Sequence, residues 1–489
     1  MKDLMNNLSE ESNRVKNEKG ANFYASTLSN LLDFFSLGGA LRSKSEKEII
    51  DLFEKAFAED KELALKCLFY FRDIREGQGE RRVFRVILKH FAENRSHTYL
   101  EDNLELVPFY GRWDDLYAVF DTRLEKKAAL IMKRQFNEDM ERGYPSLLGK
   151  WLKSENASSD ETKRLARKTM EHFGLSPRNY RKSLSMLRNK IDVVERKMSA
   201  GLWDEIDYSK VPSKAMFNYH EAFRKHDPEG FEKYMEQVKF GETKMNAKDL
   251  YPYEIVKRAF EDRGNEEYLN NAWDNLPQYD CTEENALAVV DTSGSMTWTG
   301  GSVKPLYVAI SLGLYLSEHN SHPALNNKFI TFSTEPKLAE PKGDSIVDRI
   351  KNMSKAHWDG ITNLAKVFGL ILHTGLANGI PDDEMPKKIY IISDMEFDHI
   401  TNRLIDSSFF QKIEMLYSEH RYTRPDIVFW NVNSRSGSLP VKKDQNGVVL
   451  VSGSSTHTFD MVLNSKNLTP EEFMKSVLEK ERYQRINLE

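Results

Sequence analysis

The sequence contains little cysteine and no long apolar run. Its 489 residues include only two cysteines, Cys67 and Cys281, which lie far apart. This excludes a disulfide framework and a cysteine-based zinc site. No stretch of eighteen apolar residues occurs, and residues 1–20 are polar, so neither a membrane span nor a signal peptide is predicted. We expect a cytoplasmic protein that has no membrane partner and is a monomer.

The net charge is also small, because 70 Lys and Arg nearly balance 75 Asp and Glu to give −5. The length predicts at least two domains. Overall acidity does not exclude a nucleic-acid partner, since binding depends on the local field. Residues 163–197 carry eleven Lys and Arg against three Asp and Glu, a local excess of eight positive charges.

The first part of the chain has helical periodicity. We predict a polar N-terminal segment over residues 1–21 and an α-helical domain over residues 22–280. In residues 79–91, for example, apolar side chains recur at helical spacing and basic side chains occupy the opposite face. Ser176 before Pro177 is typical of a helix start. A HEAT-like array of helix pairs fits best, and a compact irregular helical domain is the alternative.

The second part, residues 281–489, alternates short apolar runs with helical segments. Five runs predict buried strands, at residues 287–290, 329–332, 389–392, 427–430 and 448–451. Such alternation is typical of an α/β doubly wound fold with a mostly parallel sheet. Ligands of these folds bind beyond the carboxyl ends of the strands. Asp291 directly follows the first run, and Asp394 follows the third.

Asp291 begins the pattern Asp-x-Ser-x-Ser, which resembles the metal-binding loop of von Willebrand factor A domains. The resemblance implies that Ser293 and Ser295 place hydroxyls on Mg²⁺, with Asp291 in the outer shell. It also implies a threonine and an aspartate from two further loops. Thr362, 71 residues after Asp291, and Asp394, 32 residues later, match in order and strand context. The alternative is that the motif is merely a polar turn that caps a helix.

The oxygen donors of this pattern suit Mg²⁺ or another divalent cation. Mg²⁺ prefers hard oxygen ligands in octahedral geometry and retains several waters. Because most of the direct ligands are neutral, the bound ion would keep positive charge and would accept a carboxylate or phosphate from a partner. Glu396 and Asp398 lie near this site in sequence, where Glu396 is a candidate for tuning it.

Several longer segments resemble the Ro autoantigen family, which joins a TROVE module to a von Willebrand factor A domain. They are similar to its uncharacterised branch found in viruses, bacteria and eukaryotes. The segments are residues 70–81, 107–116, 180–188, 203, 211–216 and 393–398. The resemblance implies a ring of helical repeats closed by the A domain. It also implies binding of single-stranded RNA ends in a positive hole and of small structured non-coding RNA outside it.

The local basic excess agrees with this implied RNA partner. The candidate RNA-binding residues are Tyr180, for stacking, and the basic side chains Arg181, Lys182, Arg188, Lys190, Lys214, Arg224 and Lys225. The alternative is that these side chains form solvated helix faces paired with acids. For residues 163–197 we disfavour that alternative, because the segment contains so few acids. For Arg81 and Arg82 an ion pair and an RNA contact remain equally open.

We therefore expect an RNA-binding ribonucleoprotein component whose A domain binds Mg²⁺. The sequence has no P-loop and no Ser/His/Asp arrangement in the required context, so we do not expect an enzyme. One rival is a protein-interaction scaffold that captures a partner carboxylate through the metal. A second rival is a structural protein of a virus.

Overall fold

The structure is a computed structural model, and the residues that it describes form 21 α-helices and eight strands. It describes residues 12–18, 22–94, 99–261, 265–278, 285–297, 303–320, 322–333, 335–355, 364–397, 407–455, 457–463, 465, 467–486 and 488. The strands are β1 Arg14–Lys16, β2 Asn22–Tyr24, β3 Ala286–Val290, β4 Phe329–Thr331, β5 Leu338–Ala339, β6 Lys388–Ser393, β7 Asp426–Asn431 and β8 Val448–Ser452.

The helices are short and follow one another closely before residue 275. They are α1 Asn30–Gly38, α2 Glu46–Glu59, α3 Lys61–Arg72, α4 Arg82–Glu93, α5 Tyr99–Asn103, α6 Val107–Tyr110, α7 Glu125–Glu141, α8 Leu148–Trp151, α9 Asp160–Phe173, α10 Pro177–Lys190, α11 Val194–Ala200, α12 Ser213–His226, α13 Pro228–Lys239, α14 Pro252–Phe260 and α15 Glu266–Asp274. Six more alternate with the later strands: α16 Pro305–Glu318, α17 Ile346–Ser354, α18 Leu364–Asn378, α19 Ser407–Glu419, α20 His457–Leu463 and α21 Pro470–Leu478.

Contacts divide the chain into two compact units whose limits differ from the predicted segments. The α/β unit contains Met1–Ala64 and Ala247–Lys480, and the helical unit contains Leu65–Asn246 and Glu481–Glu489. Residues 22–64 and helices α14–α15, which the sequence assigns to the helical domain, therefore belong to the α/β unit. No helix in the described part of the chain is both long and apolar enough to cross a membrane.

The main sheet has six strands in the order β5-β4-β3-β6-β7-β8. The pairs β4–β3, β3–β6, β6–β7 and β7–β8 are parallel, and β5 is antiparallel to β4. All five predicted runs are strands, and β3, β6 and β8 are buried along their whole length. The two-residue edge strand β5 was not predicted, because its residues are not buried and give no apolar run.

The N-terminal part of the α/β unit has structure that its polar sequence did not predict. Strands β1 and β2 pair antiparallel, and Tyr24 continues this pairing with reciprocal backbone hydrogen bonds of 2.9 Å to Leu439. The Phe35 ring of α1 contacts Phe473 of α21, with ring centroids 6.1 Å apart. Similarly, Phe260 of α14 lies 5.0 Å from Tyr307 of α16. These apolar contacts explain why distant segments join the sheet.

The helical unit confirms the helix signals that the sequence carries. In α4, Val83, Phe84, Ile87, Leu88 and Phe91 are buried, as the predicted apolar face requires. The side chain of Ser176 caps α10 by accepting a hydrogen bond from the Asn179 amide at 3.3 Å. The turn before α4 depends on Gly77, where a Cβ would clash with the carbonyl oxygen of Tyr70. That close approach is a structural reason for glycine at this position.

Candidate metal site

The loop after β3 places Asp291 at the carboxyl end of the central strand. The backbone amide of Asp291 donates to the carbonyl of Ile392 on β6 at 3.0 Å. This hydrogen bond fixes the Asp291 backbone where β3 and β6 end side by side. Its Oδ1 accepts from the Ser293 amide at 2.9 Å, and its Oδ2 accepts from the Ser393 hydroxyl at 2.6 Å. Asp291 is fully buried. Both oxygens are therefore held in defined positions within the protein.

The two serines of the motif come together in the next turn. The hydroxyl oxygens of Ser293 and Ser295 are 3.0 Å apart. Ser295 lies in the short 3₁₀ turn Gly294–Thr297. The Ser295 hydroxyl also interacts with the Asp394 carboxylate from the loop after β6. The fold thus gathers Asp291, Ser293, Ser295 and Asp394 at one edge of the sheet. The fifth predicted residue, Thr362, lies outside the described residues.

Asp394 has one carboxylate oxygen that lacks a hydrogen-bond partner. The Oδ1 atom accepts from the Glu396 amide at 3.2 Å, whereas the buried Oδ2 atom has no hydrogen-bond partner among the described residues. The nearest ion-pair contact of Oδ2 is the guanidinium of Arg435, at 3.7 Å. Burial, with the negative charge of Asp291 acting in the same direction, raises the pKa of Asp394 to about 7. A cation would offset both effects.

The donor set fits a hard divalent cation. Two buried carboxylates and two hydroxyls offer oxygen ligands, and the unpaired Oδ2 of Asp394 is the kind of atom that a metal satisfies. Within the described residues, no three His, Cys, Asp or Glu side chains form a metal cluster. Any metal here would therefore depend on the hydroxyls of Ser293 and Ser295 as well as on the carboxylates.

The surroundings of this site include the N-terminal segment around Glu18, which the sequence did not predict to lie there. Glu396 is buried, and its two carboxylate oxygens accept from the amides of Glu18 at 2.9 Å and Ser436 at 3.2 Å. Arg435 forms an ion pair with Glu18 and also approaches Asp394. Glu396 therefore fixes the surrounding chain by its hydrogen bonds. Asp398, the other acid near the motif, lies outside the described residues.

Three predicted RNA-binding residues have internal contacts instead of open surfaces. Tyr180 is 0% exposed, and its hydroxyl donates to the carbonyl of Lys153 at 2.8 Å, so its ring is not available for base stacking. The Arg188 guanidinium donates to the carbonyls of Gly149 and Leu152, each at 3.0 Å. These side chains connect α10 to α8 and to the two residues that follow α8. The ammonium of Lys190 similarly donates to three carbonyls at the end of α7, those of Asp139, Met140 and Arg142.

The basic excess of residues 163–197 is partly neutralised by acids from earlier in the chain. Arg181 forms an ion pair with Glu155. Lys163, Arg164 and Lys168 pair in the same way with carboxylates before residue 163, namely Asp160, Glu161, Asp121 and Glu125. Counting charges within the segment therefore overestimated its positive field. The acids that pair with these bases lie before residue 163, outside the segment in which the charges were counted.

The remaining predicted bases are exposed. Lys182 lies on the outer face of α10, Lys214 lies at the start of α12, and Arg224 and Lys225 lie in its last turn. Arg178, which the prediction did not include, is exposed one helical turn before Lys182. The four-residue spacing between Arg178 and Lys182 places both on one helix face, and this spacing could have identified Arg178 from the sequence. An exposed basic face therefore remains on α10.

Comparison with known families identifies two matches within the chain. The family described as Domain of unknown function (DUF2828) matches residues 17–144 and 146–291, which together exceed half of the chain. A second family, Domain of unknown function (DUF7788), matches residues 285–487. The boundary between the matches lies beside the metal-site loop, whose first residue is Asp291.

Individual proteins resemble almost the whole chain. An uncharacterized protein of Acanthamoeba polyphaga mimivirus is 30% identical over 504 aligned positions, which cover 94% of this chain and 86% of the relative. The crystal structure of the Deinococcus radiodurans Ro (RSR) protein is similar with a TM-score of 0.50 at 14% identity. That likeness covers 92% of this chain and 100% of the Ro chain. The fold is therefore Ro-like, as the sequence motifs predicted.

Proposed function

The chain belongs to the DUF2828 family, and from its Ro-like fold we propose that it is an RNA-binding component of a ribonucleoprotein and not an enzyme. In this proposal the helical unit holds single-stranded or misfolded small RNA, and the α/β unit holds Mg²⁺. The observation that carries the proposal is the likeness to a Ro protein over 92% of the chain. Proteins of the Ro family, which the motifs resemble, bind such RNAs.

The exposed bases of the helical unit support phosphate binding. Arg178 and Lys182 lie on the same face of α10, and Arg224 and Lys225 end α12. None of these four forms an ion pair with a carboxylate within the part of the chain that the structure describes. Exposed cations of this kind bind the RNA backbone by displacing counterions, so affinity falls as salt is raised.

Filter binding of single-stranded RNA, repeated over a range of salt concentrations, tests this proposal. We expect binding that weakens steeply with salt. Changing Arg178 and Lys182 to Glu should weaken it by about tenfold or more, because two phosphate contacts are lost and two repulsions gained. Changing Lys47 and Lys55, two exposed lysines of α2, to Glu gives a matched control with the same total charge. Equal losses in both variants, or no RNA binding by the wild type, would refute the proposal.

The proposed metal has a defined place in the α/β unit. Ser293, Ser295 and Asp394 would hold Mg²⁺, Asp291 would orient the serines, and Thr362 completes the predicted set. The bound ion would supply positive charge at the edge of the sheet, where a partner carboxylate or phosphate can bind. Support comes from Asp394, whose buried Oδ2 has no hydrogen-bond partner among the described residues and whose carboxylate interacts with the Ser295 hydroxyl.

The same site favours the protein-interaction scaffold as the alternative function. A carboxylate from a partner protein would complete the coordination of the ion. Isothermal titration calorimetry with Mg²⁺ tests the metal, and we expect Asp394→Ala to abolish the binding heat. Recovery of a partner that is lost with EDTA or in the Asp394→Ala protein, but kept after ribonuclease treatment, would favour the scaffold over RNA binding.

A further inference from the structure

A second positively charged site lies in the helical unit, formed by side chains other than the exposed bases of α10. Four basic side chains contact two carboxylates there, and a fifth, Arg81, lies near enough to interact with them electrostatically, which leaves an excess of three positive charges. The basic side chains are Arg72, Arg81, Arg85, Arg112 and Lys153, and the acids are Asp114 and Asp115. All of them come from three places in the chain: the end of α3 with the start of α4, the 3₁₀ turn Trp113–Val119, and the residues after α8.

Arg72, Arg85 and Arg112 together donate hydrogen bonds to all four carboxylate oxygens of Asp114 and Asp115. Asp115 accepts from Arg72 Nε and from Arg85 Nε, each at 2.7 Å. Asp114 accepts from Arg85 Nη2 at 2.9 Å and from Arg112 Nε and Nη2, both at 2.9 Å. Both acids are buried, with 5% and 0% exposure for Asp114 and Asp115. Each carboxylate oxygen therefore accepts a hydrogen bond from an arginine, and these bonds fix the positions of the three guanidinium groups.

Arg81 and Lys153 form no hydrogen bond with these carboxylates. The Arg81 side chain is exposed and forms no ion pair within the described residues, and the Lys153 ammonium is 4.0 Å from Asp114. Partial burial of its guanidinium lowers the pKa of Arg81, the neighbouring charges of Arg85 and Arg112 act in the same direction, and Asp114 and Asp115 oppose them. Burial likewise lowers the pKa of Lys153, with the positive charges of Arg85, Arg112 and Arg81 acting in the same direction against Asp114. These cations repel one another, and an anion among them would be stabilised.

The surrounding structure holds the cations in fixed positions. The Arg112 guanidinium lies 3.9 Å from the centre of the Trp151 ring, a cation–π contact that restrains its plane. Arg81 directly precedes α4, whose first turn carries the positive end of the helix dipole. A planar guanidinium offers paired N–H donors that match the oxygens of a phosphate. A ligand would therefore meet a preorganised set of donors.

We infer that Arg81, Arg112 and Lys153 form a phosphate-binding site for single-stranded RNA. This inference rests on the proposed RNA-binding function and assigns it a specific contact apart from the α10 face. The ligand is a phosphate monoester at an RNA end or a diester within the strand. Both present the same anionic oxygens to the three side chains.

Competition binding with the full-length protein tests the site. The probes are one RNA sequence with a 5′-phosphate, the same RNA with a 5′-hydroxyl, and inorganic phosphate. We expect Arg81→Gln and Lys153→Gln each to weaken RNA binding by about tenfold and to reduce the magnitude of the salt slope by about one. Lys126→Gln, which removes an exposed lysine of α7, serves as the matched control and should leave both unchanged. A larger loss for the 5′-phosphorylated RNA assigns the site to a strand end, and equal losses assign it to the backbone.

The outcomes separate this inference from the proposed function. If the wild type binds RNA and both glutamine variants bind it equally well with the same salt slope, the phosphate site is refuted while RNA binding stands. If the wild type binds no RNA, the proposed function fails, and the RNA role of this site fails with it. Thermal shift with inorganic phosphate then decides the anion site itself. A rise in melting temperature that Arg81→Gln removes supports it, and an equal rise in both proteins refutes it.

Discussion

At the scale of single residues, Asp394 differs most from an ordinary surface aspartate. Its position after an apolar run predicted that it lies at the carboxyl end of a strand, and β6 confirms this placement. The sequence did not predict that one of its oxygens would be buried without a hydrogen-bond donor. Burial depends on neighbours such as Asp291 and Arg435, which lie far away in the sequence.

The raised pKa of Asp394 predicts a pH-dependent stability in the absence of divalent metal. Burial, with the charge of Asp291, raises this pKa from 3.8 to about 7, so the folded protein retains a proton that the unfolded chain releases. The free energy of unfolding should therefore fall as pH rises from about 4 to about 7, by on the order of 4 kcal/mol at most. Asp394→Asn stays neutral and should lose this component.

Urea unfolding in EDTA at pH 5 and pH 8 measures the difference. The wild type should lose more stability than Asp394→Asn between the two pH values. Asp344→Asn, which changes an exposed aspartate of the same unit, should follow the wild type. Parallel pH profiles for wild type and Asp394→Asn would contradict the assignment.

At the scale of elements, residues after α21 join the helical unit through one buried carboxylate. Arg482 donates to Asp73 Oδ1 at 2.8 Å and also pairs with Asp73 Oδ2, and the Tyr483 hydroxyl donates to Oδ2 at 3.2 Å. The Tyr483 ring stacks on Tyr110 with centroids 5.7 Å apart. Neither periodicity nor a motif near residue 482 predicted this long-range contact, because its partners lie about 400 residues earlier.

Removing this arginine should destabilise the helical unit. Asp73 is 0% exposed, so Arg482→Ala leaves a buried carboxylate without its main charge partner. We expect a loss of about 3–5 kcal/mol in the free energy of unfolding. Arg485→Ala removes a cation–π contact with Phe109 and should cost about 1 kcal/mol or less.

Chemical denaturation followed by tryptophan fluorescence compares these variants. The double variant Asp73→Asn with Arg482→Ala should recover part of the lost stability, since no unpaired charge then remains buried. Losses of the same size for Arg482→Ala and Arg485→Ala would show that the Asp73 ion pair contributes little.

At the scale of the whole molecule, the two compact units do not follow the order of the sequence. The α/β unit takes residues from both sides of the helical unit. In it, the Gly39 amide donates to the Ser452 hydroxyl of β8 at 3.0 Å, and the Trp273 indole donates to Glu318 at 2.6 Å. These contacts connect α1 and α15 to the sheet portion. A cut at the predicted boundary before residue 281 would therefore break both.

Fragments of the protein should reflect this division. Residues 281–489 alone should lack a cooperative urea transition, because the apolar surfaces covered by α1 and α14 become exposed. Residues 1–64 should copurify with 247–480 when the two are expressed together. Near-ultraviolet circular dichroism and unfolding curves provide the measurement. A single cooperative transition for residues 281–489 alone would contradict this view of the fold.

The local elements could be predicted from the amino-acid sequence: the apolar runs that form β3, β4, β6, β7 and β8, the amphipathic helices, and the loops that carry Asp291 and Asp394. These features depend on residues close together in the chain, whose spacing is visible in one dimension. The three-dimensional fold was needed to show that Tyr180 is buried, that Glu155 neutralises Arg181, and that Arg81 lies near Arg85 and Arg112. Charge balance and burial depend on which distant segments meet, and spacing along the chain does not encode that.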